Sequence, residues 1–261
     1  MNYGLYVSAS GVLANLHRQD VAANNLANAQ TVGFKESLAA IKQRDAESVE
    51  DGLSFEMSHR LLDRLGGGVF VADSRVSGAD GPMDATGNAL DIAVRGEGFL
   101  VVGGLEGREG LAGEAALTRD GRLTMASDGR LEMTANGRPV LGVNGEPIVL
   151  DPTLDVHIDE VGAVNQGGAE IGRLHLLVPS EAGLRHLGDG LYAIEGDEEL
   201  GARERGGGQI RQGYLEQSNV NEITELTRLI GATKAATSNA NMIRYHDLMM
   251  DRAVNVLGRV A

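Results

Sequence analysis

The chain contains a glycine pattern typical of a cofactor site, but the pattern lacks a part that its chemistry needs. Gly96-Glu97-Gly98 follows an apolar stretch, as the glycine-rich turn of a dinucleotide site does. That turn must open a helix whose N-terminus binds the pyrophosphate. Here Phe99-Leu100-Val101-Val102 predicts a second strand instead. A β-hairpin is therefore the better interpretation of this segment.

The histidines, serines and carboxylates form no recognisable catalytic or metal-binding motif. The six histidines contain no His-x-x-x-His pair, and His157 and His175 each lie between apolar residues, as solvent-facing positions on strands do. Neither Gly-x-Ser-x-Gly nor a phosphate-binding loop occurs, and 37 acidic residues are too many to single out a pair without geometry. We therefore predict no catalytic, cofactor-binding or metal-ligating residue and no enzymatic activity.

The composition of the 261 residues excludes further classes. The absence of cysteine excludes a disulfide scaffold, a thiolate zinc site and thiol catalysis. A net charge of −14 argues against nucleic acid as a partner, since that contact needs clustered Lys and Arg. No apolar run approaches the ~18 residues of a membrane span. The first sixteen residues are uncharged but are interrupted by polar residues and glycine, so we expect no cleaved signal peptide.

Glycine, proline and charge divide the chain into two helical ends and a middle of strands. Residues 36–213 hold 32 of the 37 glycines, all five prolines and a net charge of −15. Residues 1–35 carry a net charge of +1, and residues 214–261 carry none. Since glycine and proline are poor inside helices, only the two ends are expected to form long helices.

Apolar residues at the two ends recur with a 3-4 spacing. The series are Leu5, Ala9, Val12, Leu16, Gln19, Ala23 and Leu26, and Leu226, Leu229, Thr233, Ala236, Ala240, Ile243, Asp247, Met250, Val254 and Leu257. This spacing is typical of a coiled-coil seam. From spacing alone, two amphipathic helices docked on their own domain are an equally good interpretation.

The middle of the chain predicts short strands joined by tight turns. Asp-Gly or Asn-Gly recurs every eight residues, at 120–121, 128–129, 136–137 and 144–145. These pairs supply the positive φ of hairpin turns, and one carboxylate per turn is too few for calcium. Apolar alternation at Leu90, Ile92 and Val94 and at Leu174, Leu176 and Val178 predicts strands with one buried face.

Several phrases, in order along the chain, resemble the bacterial flagellar rod and hook proteins, and most closely the basal-body rod subunits. They are Ala23-Asn24-Asn25-Leu26-Ala27-Asn28, Thr31-Val32-Gly33-Phe34-Lys35, Thr86-Gly87-Asn88-Ala89-Leu90-Asp91, Gly96-Glu97-Gly98-Phe99, Thr118-Arg119-Asp120-Gly121, and Gly213-Tyr214-Leu215-Glu216-Gln217-Ser218-Asn219-Val220-Asn221. Ile171-Gly172-Arg173-Leu174 and Arg252-Ala253-Val254-Asn255 favour a proximal-rod over a distal-rod subunit.

The resemblance implies an α+β fold with paired terminal helices and a central all-β domain of short antiparallel strands. The expected domains are a helical polymerisation domain of residues 1–35 with 214–261, a helical extension and flexible linker at 36–80, and a β-rich domain at 81–213. Locally, Asn24, Asn25 and Asn28 can satisfy carbonyls at a helix end or bridge to a neighbouring subunit. Gly33 fits a positive-φ position past that end, and Ser218 or Asn219 can cap the last helix.

The function implied is a structural rod subunit that self-assembles through its terminal helices into a hollow shaft transmitting torque from motor to hook. The expected assembly residues are Leu5, Val12, Leu16, Asn24, Asn25, Leu26, Asn28, Gly33, Phe34, Leu226, Leu229, Ala236, Ala240, Ile243, Met250, Val254 and Leu257. The expected partners are further copies, other rod and hook subunits and the flagellar type III export apparatus, with no nucleic acid and no membrane insertion. The expected location is the basal-body rod crossing the periplasm. A secreted acidic carbohydrate-binding module or hydrolase, oligomerised by its helices, is the alternative.

Overall fold

The computed structural model describes residues 3–45, 66–104, 115–179, 184–194 and 207–257. The chain divides into two compact units. The helical unit contains residues 1–26, 37–74 and 221–261, and the β unit contains residues 27–36 and 75–220. Paired terminal helices and a centre of short antiparallel strands confirm the predicted α+β class.

Two long helices form the helical unit. Helix α1 spans Tyr3–Ala27 and helix α2 spans Glu222–Arg252, followed by a π-helical turn at Ala253–Leu257. Asn221 caps α2, since its side chain accepts a hydrogen bond from the Thr224 N–H. The predicted caps Ser218 and Asn219 are therefore wrong. None of the described helices has the length and apolarity to span a membrane.

Helices α1 and α2 pack antiparallel to each other. A Cβ added at Gly4 would lie 2.7 Å from His246, one at Gly11 would lie 2.6 Å from Asn239, and Asn25 donates to Glu225 over 3.2 Å. As the residue number increases along α1, the number of the residue that it contacts on α2 therefore decreases. The buried alanines of the pair are Ala14, Ala22, Ala232 and Ala236. Small side chains along this contact let the two backbones approach closely.

A two-stranded ribbon lies along α1, where the sequence predicted a helical extension and a linker. Strand β1 (Ser37–Gln43) pairs with β2 (Val69–Val76), and Arg44 N–H donates to Gly68 O over 3.0 Å. The prediction is wrong for these two segments, and residues 46–65 lie outside the described part of the chain. The β-branched and aromatic residues that begin β2 favour a strand. Pairing with β2 then overrides the helix preference of Ala39 and Ala40.

The β unit contains short strands whose register-defined pairs are all antiparallel. They are β3 (Met83–Ala85), β4 (Ile92–Arg95), β5 (Phe99–Val102), β6 (Ala116–Thr118), β7 (Leu123–Met125), β8 (Leu131–Met133), β9 (Val156–Ile158), β10 (Ala163–Gln166), β11 (Ala169–Arg173), β12 (Leu176–Leu177), β13 (Leu184–Gly188), β14 (Leu191–Ile194), β15 (Gln209–Gln212) and β16 (Tyr214–Glu216). A five-stranded sheet has the order β12-β5-β6-β14-β13, and a three-stranded sheet has the order β11-β10-β9. The remaining strands form the pairs β15-β4, β16-β3 and β7-β8.

Most of the predicted glycine turns are hairpin turns. Gly129, Gly137 and Gly145 have φ of 86°, 69° and 79°, and Gly129 lies in the turn between β7 and β8. Gly121 has a different role: a Cβ there would lie 1.6 Å from the Ile92 carbonyl oxygen. Its missing side chain therefore permits a close backbone approach rather than a left-handed turn.

The hairpin predicted around Gly96 is wrong, although both of its strands exist. Strand β4 pairs with β15, whereas β5 pairs with β6 and β12. The residues Ile92–Val94 of β4 are buried on both faces, so the predicted single buried face is also wrong. Strand β4 pairs with β15, which lies more than 100 residues later in the chain, instead of with the neighbouring β5. The local sequence does not indicate this long-range pairing.

Candidate assembly surface and buried polar contacts

The predicted assembly residues of α1 divide between its inner and outer faces. Leu5, Val12 and Leu26 are half-buried, whereas Leu16 is exposed. Tyr3, Tyr6 and Leu13 are exposed as well, and sequence spacing did not select them.

The predicted residues of α2 divide in the same way. Ala236 is buried and Leu229 and Ile243 are half-buried, whereas the exposed members are Leu226, Ala240, Met250 and Val254. The side chain of Leu257 lies outside the described part of the chain. The more buried positions of α2 run Glu225, Leu229, Ala232, Ala236, Asn239, Ile243 and His246, again with a 3-4 spacing. The contact with α1 therefore follows a neighbouring stripe that shares three members with the predicted one.

Large apolar side chains remain exposed along both helices. We call them the outer apolar set: Tyr3, Tyr6, Leu13, Leu16, Ile223, Leu226, Ile230, Met242, Tyr245, Leu248, Met249, Met250 and Val254. Single exposed apolar residues are ordinary, but a concentration of them is typical of a surface that another protein covers. The two helices also carry little net charge, so further copies would meet them without strong repulsion.

Asn25 is buried inside the helical unit and holds three groups at once. Its Oδ1 accepts from the Ser37 N–H over 2.9 Å, and its Nδ2 donates to the Ser37 carbonyl over 2.8 Å and to Glu225 Oε2 over 3.2 Å. The amide thus pairs with the first residue of β1 as a neighbouring strand would. Ser10 marks the other end of the ribbon, since its Oγ accepts from the Val69 N–H at the start of β2 over 3.3 Å.

The other two asparagines of this phrase differ from Asn25. Asn24 is exposed, and the half-buried Asn28 accepts a hydrogen bond from the Thr31 hydroxyl over 3.2 Å. Asn25 therefore acts within the chain, and the three similar side chains have three different environments.

Gly33 and Phe34 lie inside the β unit. Gly33 has φ of 68°, which confirms the predicted left-handed conformation, and a Cβ there would lie 2.3 Å from the Arg119 carbonyl carbon. Phe34 is buried and stacks on His186 with 4.9 Å between ring centroids, and His186 in turn lies 4.5 Å from the Tyr192 ring. Burial lowers the pKa of His186 and raises the pKa of Tyr192, because each charged form is poorly solvated there.

A buried ion cluster, which the sequence analysis missed, lies next to these residues. Glu216 Oε1 lies 2.6 Å from Lys35 Nζ, and Glu216 Oε2 lies 2.9 Å from Arg119 Nη1. All three side chains are at most 2% exposed. Burial and the Arg119 charge lower the pKa of Lys35, while Glu216 opposes that change. Asp80, at the rim, lies 3.7 Å from both cations.

The members of this cluster come from three of the phrases that carry the family resemblance. Lys35 ends the phrase that begins at Thr31, Arg119 lies in Thr118-Arg119-Asp120-Gly121, and Glu216 lies in the phrase before α2. Those phrases were the only signal in the sequence that could have located the cluster. Phe99 of a fourth phrase packs beneath Arg119, with its ring centroid 5.0 Å from the guanidinium carbon.

Two family models match the two ends of the chain. The family model for flagella basal body rod proteins matches residues 5–35, and the model for the C-terminal part of the flagellar basal body rod FlgEFG proteins matches residues 211–256. These two matches contain all of α2, all but the first two residues of α1, and two of the three buried ionic side chains, Lys35 and Glu216.

Full-length relatives carry the same assignment. The chain is 33% identical to the flagellar basal-body rod protein FlgF of Caulobacter vibrioides, with 100% of both chains covered, and 31% identical to FlgF of Mesorhizobium japonicum, with 99% of each covered. It is 30% identical to the flagellar basal-body rod protein FlgG of Caulobacter vibrioides, covering 94% of this chain and 96% of the relative. The likeness to FlgF is slightly greater. This chain therefore belongs to the flagellar basal-body rod protein family.

Proposed function

We propose that the protein is a structural, non-enzymatic subunit that polymerises through its terminal helices into the hollow shaft of the flagellar rod and there transmits torque to the hook. The observation that supports this proposal is the outer apolar set on the paired helices. A single chain leaves these side chains in water, whereas neighbouring subunits would bury them at about 25 cal/mol per Å² of apolar surface.

The charge distribution supports the same proposal. Heterologous contacts that do not close into a ring generate a helical filament, and every subunit then repeats the same contact. Residues 214–261 carry no net charge and residues 36–213 carry −15. Contacts through the helices therefore avoid the repulsion that contacts through the acidic β unit would produce.

Within the predicted assembly residues, we assign two roles. The exposed ones, Leu16, Asn24, Leu226, Ala240, Met250 and Val254, contact neighbouring subunits directly. The buried or half-buried ones, including Asn25, Gly33 and Phe34, act indirectly by fixing the elements that carry the exposed ones. The proximal position in the rod, delivery by the flagellar type III export apparatus without a cleaved signal peptide, and contacts with other rod and hook subunits complete the proposal.

Charge introduced on the outer apolar set tests the proposal. Tyr245→Glu replaces a side chain that is 61% exposed on α2, and the matched control Val161→Glu replaces one that is 66% exposed in the β unit. We expect Tyr245→Glu to abolish swimming and incorporation into isolated basal bodies, with unchanged circular dichroism of the purified chain. Val161→Glu should leave all three unchanged. Normal swimming and incorporation of Tyr245→Glu and of Leu226→Glu would overturn the proposal.

A further inference from the structure

Two segments at the borders between the units lie against each other within the β unit. Residues 31–36 are the last of the β unit before β1 of the helical unit begins. Residues 214–220 are the last of the β unit before α2 begins. Gly33 N–H donates to the Glu216 carbonyl over 2.7 Å, and Glu36 N–H donates to Asn219 Oδ1 over 2.7 Å. The segments 31–36 and 214–220 are therefore joined to each other by hydrogen bonds.

The buried ion cluster connects this pair of segments to the body of the β unit in a definite order. Arg119, which follows β6, is held by the body itself, since its Nη1 donates to the Val94 carbonyl over 3.0 Å and its guanidinium lies over the Phe99 ring. Glu216 binds Arg119 with one oxygen and Lys35 with the other. Lys35 also donates to the Ala79 carbonyl over 2.8 Å.

We propose that Lys35, Glu216 and Arg119 form a latch in which Arg119 is the fixed part, Glu216 holds the 214–220 segment to it, and Lys35 holds the 31–36 segment to Glu216. Glu216 is the only carboxylate among the described residues that lies within 4 Å of these cations and is fully buried. Without its charge, two buried cations would share Asp80, whose side chain is 35% exposed. A buried charge that loses its partner is strongly destabilising, so both segments would open locally.

The strands of the body do not depend on the latch in the same way. The sheet formed by β5, β6 and β14 and the hairpin of β7 and β8 have their own aliphatic core, which includes Leu100, Leu131 and Met133. The stack of Phe34 on His186 also keeps one contact of the 31–36 segment. We therefore expect local opening of the two segments rather than unfolding of the β unit. This inference does not rest on the proposed function.

Amide hydrogen exchange of the full-length chain tests the latch, with Glu216→Gln compared with Asp80→Asn. Both substitutions remove one carboxylate charge beside the same two cations, and they differ in burial. Glu216→Gln should accelerate exchange at Gly33, Glu36 and Gln217 by about tenfold or more, as the loss of a buried charge-assisted bond implies. Asp80→Asn should accelerate it by less than about threefold, because solvent already screens an exposed charge.

The order of the latch requires a second variant. Lys35→Met removes the outer cation and leaves the bond between Glu216 and Arg119, so exchange should accelerate at Gly33 and Glu36 but not at Gln217. Unchanged exchange at all three amides in Glu216→Gln would overturn the latch. Equal acceleration in β5, β6 and β8 would overturn it too, since the cluster would then be part of the core. Acceleration of Gln217 in Lys35→Met would overturn the order.

Discussion

Replacement of Asn25 by aspartate separates a structural role within the chain from a role at the surface between subunits. The carboxylate would keep the acceptor for the Ser37 N–H but lose both donors. It would also place a second negative charge about where Nδ2 now lies, 3.2 Å from Glu225 Oε2. Asn25 is 0% exposed, so solvent can relieve neither loss.

The cost follows from these distances. Two like charges at this separation repel by about 5 kcal/mol at an effective dielectric of about 20, and Arg228, which donates to Glu225, offsets part of that repulsion. An unpaired buried carbonyl of Ser37 adds about 1 kcal/mol or more. We expect Asn25→Asp to lower the free energy of unfolding of the helical unit by about 3–5 kcal/mol at pH 7.

The assay is urea unfolding of the purified, unassembled chain, followed by circular dichroism at a helical wavelength. The control is Asn24→Asp, the same substitution at the exposed neighbouring position, for which we expect a change within about 0.5 kcal/mol. The cost of Asn25→Asp should shrink at pH 4 and below, as the introduced carboxyl is protonated and becomes a donor. Equal stability of the two variants at pH 7, together with loss of assembly in Asn25→Asp alone, would refute the internal role and favour a contact between subunits.

Two further predictions concern the β unit. Gly33→Ala should lower the free energy of unfolding by several kcal/mol more than Gly145→Ala. Both positions have positive φ, and that conformation alone costs about 1–2 kcal/mol, but only the Cβ at Gly33 would lie 2.3 Å from a backbone atom. Equal thermal destabilisation of the two variants would contradict the packing argument. Burial lowers the pKa of His186 in the folded chain below its ordinary 6.5. As the pH decreases below about 6.5, His186 is therefore protonated in the unfolded chain before it is protonated in the folded chain, and the stability should fall. The loss amounts to about 1.4 kcal/mol per pH unit between the two pKa values, and His186→Phe should remove this part of the pH profile; an unaltered profile would contradict it.

Much of the fold could be predicted from the sequence because it depends on local composition. The glycines and prolines of residues 36–213 exclude long helices there, and the 3-4 apolar spacing favours helices at both ends. Asp128-Gly129 and Asn136-Gly137 predicted turns with positive φ for the same reason, since the conformational preference belongs to the residues themselves.

The stripe of each helix that meets the other helix could not be predicted. Spacing indicates a repeated face, but two neighbouring stripes of α2 have similar spacing, one with Leu226 and Ala240 and one with Ala232 and Asn239. The contact uses the stripe that contains Glu225, because Glu225 accepts a hydrogen bond from Asn25 of α1, and such a tertiary contact is not encoded in the spacing. Similarly, Ala39 and Ala40 favour a helix by themselves but lie in a strand because β2 pairs with them.

Residue type, local spacing and ordered phrases were enough to predict helices at the two ends, strands beyond residue 80, most of the turns and the family. The contacts among Lys35, Arg119 and Glu216, and those of Asn25 with Ser37 and Glu225, became known from the folded structure alone. Each of these contacts joins residues separated by a dozen to two hundred positions. The free energy of such a contact comes from burial and charge pairing, which exist only after the chain has closed around them.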